Sequence, residues 1–131
     1  MIIGIGVDMV DVARFEASLT RTPAMADRLF TARERLDDSG AELTPVRLAA
    51  RFAVKEALAK ALGAPGDLAW HDCEVLSQES GQPYIVTSGT VEQACRFRGV
   101  DTWHVSMSHD GGMAVAYVIA ERSGEDDSSI A

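Results

Sequence analysis

The chain opens on a run of Ile and Val over 2–12, interrupted by Asp8 and Asp11, the pattern of a strand that runs into a helix start. Asp11 is placed to cap a helix over 12–19. A loop over 20–27, punctuated by Pro23, leads towards Thr31, and Glu34 three residues later completes the spacing of a capping box. That box predicts a short helix over 32–38, stopped at Ser39-Gly40. Thr44-Pro45 is a second start signal. The Ala, Leu, Arg, Lys and Glu that follow as far as Leu62 are strong helix formers, ended by Gly63 and Pro65. Strands are expected over 70–76 and 83–87 around the turn Glu79-Ser80-Gly81-Gln82, then a short helix over 90–98 ending at Gly99. Residues 101–109 alternate apolar and polar, 113–120 are apolar, and Asp110-Gly111-Gly112 between them predicts a hairpin. Strand, helices, then strands with one helix between them make an α+β pattern rather than strict βαβ alternation.

The 131 residues suit one domain over 1–122, followed by a polar, acidic tail over 123–131 that is expected to be disordered. An apolar fraction of 47% supports a folded core. No apolar run approaches the roughly 20 residues of a membrane span, and Met1-Ile2-Ile3-Gly4 lacks the basic start of a signal peptide, so the expected compartment is the cytoplasm, without membrane attachment. Cys73 and Cys95 lack zinc-site spacing and are expected to be small buried apolar groups. The net charge of −8 is uneven. Residues 1–60 hold nine basic and nine acidic side chains, whereas 61–131 hold three and eleven. That balance disfavours general nucleic-acid binding. It leaves room for a local basic face among Arg14, Arg21, Arg28, Arg33 and Arg35.

Asp8 interrupts an apolar strand, and a buried carboxylate must be paired or bound to a metal; an exposed strand end is the alternative. On the long helix, Glu56 and Lys60 share a stripe with Ala49 and Ala53, while Arg47, Arg51 and Lys55 fall roughly opposite. One reading is a solvated helix with an i,i+4 Glu–Lys pair. Against it, the small Ala side chains beside Glu56 and Lys60 suggest that something approaches the backbone closely. His109 ends a strand at the Gly-Gly turn, where it can bind phosphate, act as a base, or simply be exposed. No GxSxG elbow accompanies Ser108 and His109. Together, Asp8 and Glu56 suit Mg²⁺, Lys60 suits a leaving phosphate, and Arg51 suits a terminal phosphate.

Several segments, in order, resemble the small phosphopantetheinyl transferases of the holo-acyl-carrier-protein synthase family. They are Ile3-Gly4-Ile5-Gly6-Val7-Asp8-Met9-Val10; Phe30-Thr31-Ala32-Arg33-Glu34; the run from Arg51 through Lys55-Glu56-Ala57 and Lys60 to Gly63; Gly81-Gln82-Pro83; and His104-Val105-Ser106-Met107-Ser108-His109. The resemblance covers nearly all the chain to about Glu121. It implies a small antiparallel sheet packed on one long and several short helices, in a homotrimer with active sites between subunits. It also implies Mg²⁺ on Asp8 and Glu56, and coenzyme A as donor, with Lys60 at the pyrophosphate, Arg51 and His109 at the adenosine end, and Gly63 in the coenzyme A site. Acyl carrier protein is the implied acceptor, docking on the first helix, where Arg14 and Arg21 are the candidates. Gly63-Ala64-Pro65-Gly66 departs from the family's G-T-G, and Asp110 stands where some members have Thr.

The implied reaction is attack by a carrier serine on the β-phosphorus of coenzyme A, releasing 3′,5′-ADP. Glu56 through a water, His109 or Asp110 can each serve as base. Two rival readings are a metal-dependent phosphotransfer enzyme or nuclease built on a ribonuclease-H-like first strand, and a trimeric binding module without activity.

Overall fold

In the computed structural model, which describes residues 1–124, β1 (Ile2–Asp11) lies along one edge of a three-stranded antiparallel sheet. The order is β1–β5–β4, with β5 (Met113–Glu121) at the centre and β4 (Thr102–Asp110) on the other edge. The expected hairpin is therefore present, turning at Gly111-Gly112 with positive φ at both glycines. Its alternation sorts the sheet into two faces. Gly4, Gly6 and Asp8 share the inner face with Ala114, Ala116, Val118 and Ala120, all four of which are buried.

Across that inner face runs the long helix α3 (Pro45–Ala61). Strand and helix meet without side chains between them. A Cβ built on Gly6 would lie 1.8 Å from the carbonyl oxygen of Ala57, and one on Gly4 would lie 1.9 Å from that of Ala61. Only glycine permits this approach. The small residues of α3 are explained by it: Ala49, Ala53 and Ala57 have no exposed surface.

Around this pair sit α1 (Val12–Arg21), α2 (Ala24–Leu29) and α4 (Gly89–Arg98), with a two-stranded ribbon of β2 (Cys73–Ser77) and β3 (Pro83–Thr87). Asp11 caps α1 as expected, accepting from the Arg14 N–H at 3.0 Å. Cys73 and Cys95 are buried and free. Ser123 is tied to Asp101, and the rest of the expected tail, 125–131, lies outside the described residues.

Three expected elements differ. The loop over 20–27 contains α2, because Ala26 and Leu29 bury one face of a helix that starts just after Pro23. The helix over 32–38 is a single 3-10 turn at Arg33–Arg35. Half of the capping box forms, with the Thr31 N–H donating to Glu34 Oε1 at 2.9 Å, but the Thr31 hydroxyl turns to Glu74 instead. The strand over 70–76 begins only at Cys73, since Asp72 is drawn aside to accept from the N–H and hydroxyl of Thr90 at the start of α4.

The largest correction concerns α3. Arg51 and Lys55 are not a solvated face; both are buried, at 2% and 3% exposure. Lys55 donates to Glu34 Oε1 at 2.9 Å, to the Trp70 carbonyl at 2.8 Å and to the Cys73 carbonyl. Glu34, with no exposed surface, also accepts from the Val75 N–H at 2.9 Å. All three ammonium protons are thus satisfied, and the buried pair ties η-type turn, α3 and β2 together.

Removing one partner of such a pair leaves an uncompensated buried charge, so Lys55→Met is expected to cost about 3–5 kcal/mol in urea unfolding. Adding Glu34→Gln removes that stranded charge, and the double variant should be more stable than Lys55→Met alone. A double variant no more stable than the single one would contradict the buried-pair account.

Candidate active site

Asp8 leaves β1 on its inner face, over α3, because the glycine contacts just before it, at Gly4 and Gly6, hold the strand against the helix. Lys60, in the last turn of α3, donates to Asp8 Oδ1 and to the Val7 carbonyl, each at 3.0 Å. Glu56, one turn earlier, completes a cluster of two carboxylates and one ammonium. Burial, chiefly, and then the Asp8 charge raise the Glu56 pKa above the ordinary carboxylate value, while Lys60 opposes the shift. Two carboxylates that repel each other while a lysine already leans on one of them make a place for a cation. The donor set fits Mg²⁺, which takes one or two carboxylates and fills its other positions with water and phosphate oxygens. No closed cage of three or more ligating side chains exists among the described residues.

Asp8 and Glu56 stand in the wall of a groove of about 570 Å³ between α1, α2 and α3. Arg14 and Arg28 line the same groove, above an apolar floor that includes Phe15, Phe52 and Trp70. Phe15 and Phe52 stack with ring centroids 5.3 Å apart. Of the two expected docking residues, Arg14 lines the groove; Arg21 does not line it but reaches Ser18, which does, at 3.5 Å. Arg28 belongs to the local basic face expected from sequence, whereas its grouping with the two phenylalanines and Trp70 escaped sequence reasoning. No spacing links them, because four separate elements bring them together.

The second expected pair is also brought together. Arg51 and His109 line a smaller pocket of about 130 Å³, with Arg47, Ser77 and Ser108. Arg51 is already committed on one side, donating to the Glu34 carbonyl at 2.6 Å and to the Ser77 hydroxyl at 2.9 Å. Arg47 shares the helix face expected for Arg51, four residues before it, and joins it in this pocket. Strand alternation puts His109 on the α3 side of β4 and Asp110 on the outer side, so the two do not face one another within one chain. Gly63, at φ 85°, ends α3 beside the Arg98 guanidinium, which donates to the Leu62 carbonyl at 2.8 Å. Ala64 follows with φ 55°, so the departure from G-T-G puts a non-glycine residue in the left-handed region.

The family model for the 4′-phosphopantetheinyl transferase superfamily matches residues 4–120. The chain belongs to that superfamily, whose members are enzymes. The holo-acyl-carrier-protein synthase of Kocuria rhizophila is 60% identical over 121 residues, covering 92% of this chain and 94% of that one. Among solved structures, the holo-acyl-carrier-protein synthase of Neisseria meningitidis is 31% identical with a TM-score of 0.81, covering 92% and 99% of the two chains. That of Bacillus anthracis, solved in complex with coenzyme A (3′,5′-ADP), is 32% identical with a TM-score of 0.74, covering 94% and 99%. The α+β fold with a small antiparallel sheet is thus a phosphopantetheinyl transferase fold. No helix among the described residues is long and apolar enough to cross a membrane.

The raised Glu56 pKa has a stability consequence. The folded state holds the Glu56 proton more tightly than the unfolded chain does, so the ionised form costs stability. The penalty is absent below the unfolded value of about 4.3 and complete above the folded one. In magnesium-free buffer, Glu56→Gln should therefore melt above the parent at pH 7, with the gap closing as the pH falls below about 4. A gap independent of pH, or of opposite sign, would contradict the desolvated, Asp8-facing placement.

Proposed function

We propose that the chain is a Mg²⁺-dependent holo-acyl-carrier-protein synthase, moving the 4′-phosphopantetheine group of coenzyme A onto a serine of an apo acyl carrier protein. The observation that carries this reading is the meeting of Asp8 and Lys60 beside Glu56, with both carboxylates in the lining of a groove that Arg14 and Arg28 also line. Asp8 and Glu56 would hold the metal, which when bound neutralises charge on the pyrophosphate. Lys60 is positioned to take up charge on the same pyrophosphate once it leaves Asp8. Arg14 and Arg28 draw in an acidic carrier despite the net charge of −8. The serine oxygen attacks the β-phosphorus, and the bond to the bridging oxygen breaks. 3′,5′-ADP departs with that oxygen, and the serine proton passes through a water to Glu56. We assign Arg47, Arg51 and His109 to the 3′-phosphate, as two guanidinium forks and an imidazole around a small pocket. Asp110, on the outer face of β4, has no partner in that pocket within its own chain.

We also propose a homotrimer, on the ground of the outer face of the sheet. The outer face of the sheet exposes Ile5, Val7, Met9 and Tyr117, at 62%, 42%, 62% and 56%. A contiguous apolar face of this kind calls for a partner, and further copies of the same chain fit it. Such an assembly also allows coenzyme A to span two subunits, with its pyrophosphate at Lys60 of one and its 3′-phosphate at His109 of the next. The expected compartment for these substrates is the cytoplasm.

Mixing the purified chain with coenzyme A, Mg²⁺ and an apo carrier should add one phosphopantetheine to the carrier's mass. Chelation of the metal should stop the reaction, and Asp8→Asn should slow it by about 100-fold or more. Arg14→Glu should raise the carrier KM and leave the coenzyme A KM unchanged. An unmodified carrier, or full turnover by Asp8→Asn at limiting Mg²⁺, would overturn the reading, and sedimentation of an active monomer would remove the trimer.

A further inference from the structure

Residues 61–131 hold three cationic side chains, Arg96, Arg98 and Arg122, and two of them are spent on main-chain carbonyls at helix ends. Arg98, the last residue of α4, donates to the Leu62 carbonyl at 2.8 Å, at the end of α3. Arg122, just past β5, donates through Nε to the Gly99 carbonyl at 3.1 Å, at the end of α4. Resting on the transferase reading above, we propose that Arg98 is a positioning residue for the donor. It closes the last turn of α3 and thereby holds Lys60 where the pyrophosphate of coenzyme A is received.

The last turn of α3 needs such a tie, because a helix ends on carbonyls that have no partner in a following turn. Here the Leu62 N–H reaches the Leu58 and Ala59 carbonyls at 3.1 and 3.2 Å, and the Gly63 N–H reaches the Lys60 carbonyl at 3.0 Å. The Ala64 N–H returns to the Ala59 carbonyl at 2.7 Å. Those bonds draw the chain through two consecutive left-handed residues, Gly63 at φ 85° and Ala64 at φ 55°. Alanine enters that region at a cost, and holds it only where its surroundings fix it. Pro65, next in the chain, has no N–H to add. The Leu62 carbonyl is taken by Arg98, and a guanidinium at a helix C-terminus is favoured by the helix dipole as well.

The guanidinium also fills the space that a side chain at position 63 would need: a Cβ on Gly63 would lie 2.7 Å from Arg98 Nη1. Lys60 stands two residues before Leu62 in the same turn and donates to Asp8 and to the Val7 carbonyl. Its side chain is about half exposed, so the backbone of that turn sets where the ammonium meets a phosphate. The carrier side of the site is lined by Arg14 and Arg28, on α1 and α2, and does not include this turn. Loss of Arg98 therefore separates the two substrates. Arg122 supplies the matched comparison. It too sits on a carbonyl beside a left-handed glycine, Gly99 at φ 78°, where a Cβ would lie 2.5 Å from Arg122 Nη2. That tie is at the end of α4, away from Lys60.

The test measures the KM values of coenzyme A and of an apo carrier, read by carrier mass, in the parent, Arg98→Met, Arg98→Lys and Arg122→Met. Calorimetry adds the affinity for 3′,5′-ADP, which keeps one phosphate of the donor's pyrophosphate. Arg98→Met retains an aliphatic stem and loses the donors, whereas Arg98→Lys restores one donor. Arg98→Met should weaken 3′,5′-ADP binding and raise the coenzyme A KM, each by about 10-fold, with the carrier KM unchanged. Arg98→Lys should recover most of that loss, and Arg122→Met should match the parent in all three readings. If Arg98→Met does not fold, Arg98→Gln takes its place under the same readings. Parent-like 3′,5′-ADP binding in the folded variant, an equal loss in Arg122→Met, or a carrier KM that rises with the coenzyme A KM overturns the proposal while leaving the transferase reading in place. A parent that neither binds 3′,5′-ADP nor transfers from coenzyme A overturns both.

Discussion

The close approach of β1 to α3 is the constraint on which the rest of the molecule depends. Gly4 and Gly6 lie against the carbonyls of Ala61 and Ala57, and a single methyl at either position would collide with helix backbone rather than with a movable side chain. The contact fixes the strand's height over the helix, so Asp8, two residues beyond Gly6, arrives beside Glu56 and Lys60. The site follows from the packing. A larger residue at either glycine would push β1 off α3 and so separate Asp8 from Glu56 and Lys60.

On the opposite side of α3, a buried pair does comparable work by other means. Glu34 accepts from Lys55 and from backbone N–H groups before and after it in the chain, while its own carbonyl receives Arg51. The α3 helix is thereby held between glycine contacts on one face and a satisfied ion pair on the other. Arg51 is consequently presented to the His109 pocket with two of its donors already used, which holds the guanidinium at a set angle. Its pKa is lowered chiefly by burial, yet a guanidinium keeps its proton throughout the working range.

Much of this was legible in the sequence where a signal is local. Pro45, the Ala- and Leu-rich run and Gly63 mark α3, Gly111-Gly112 marks the hairpin, and the small residues around Glu56 and Lys60 foretell a close approach. The strand that makes that approach is β1 itself, not a ligand. What sequence could not separate was solvated charge from buried charge, because Arg51 and Lys55 find their partners at Glu34 and Ser77, far away along the chain. For the same reason Thr31 and Glu34 have the spacing of a helix cap yet form only one tight turn: Glu34 makes its half of the box, but the Thr31 hydroxyl is claimed by Glu74, far away along the chain. The α2 helix is too short for a periodic signal and follows Pro23, which reads as loop. The groove floor of Phe15, Phe52 and Trp70 belongs to three elements and has no linear trace.

The central claim is that packing of β1 on α3 builds a divalent-cation site from Asp8 and Glu56. A titration with Mn²⁺, as a paramagnetic substitute for Mg²⁺, in the presence of 3′,5′-ADP tests it directly through the backbone amide resonances. Broadening should begin at the amides around Asp8 and around Glu56 to Lys60, should spare α4 near Arg96, and should weaken sharply in Asp8→Asn. Broadening centred elsewhere, or unchanged in Asp8→Asn, would contradict the account.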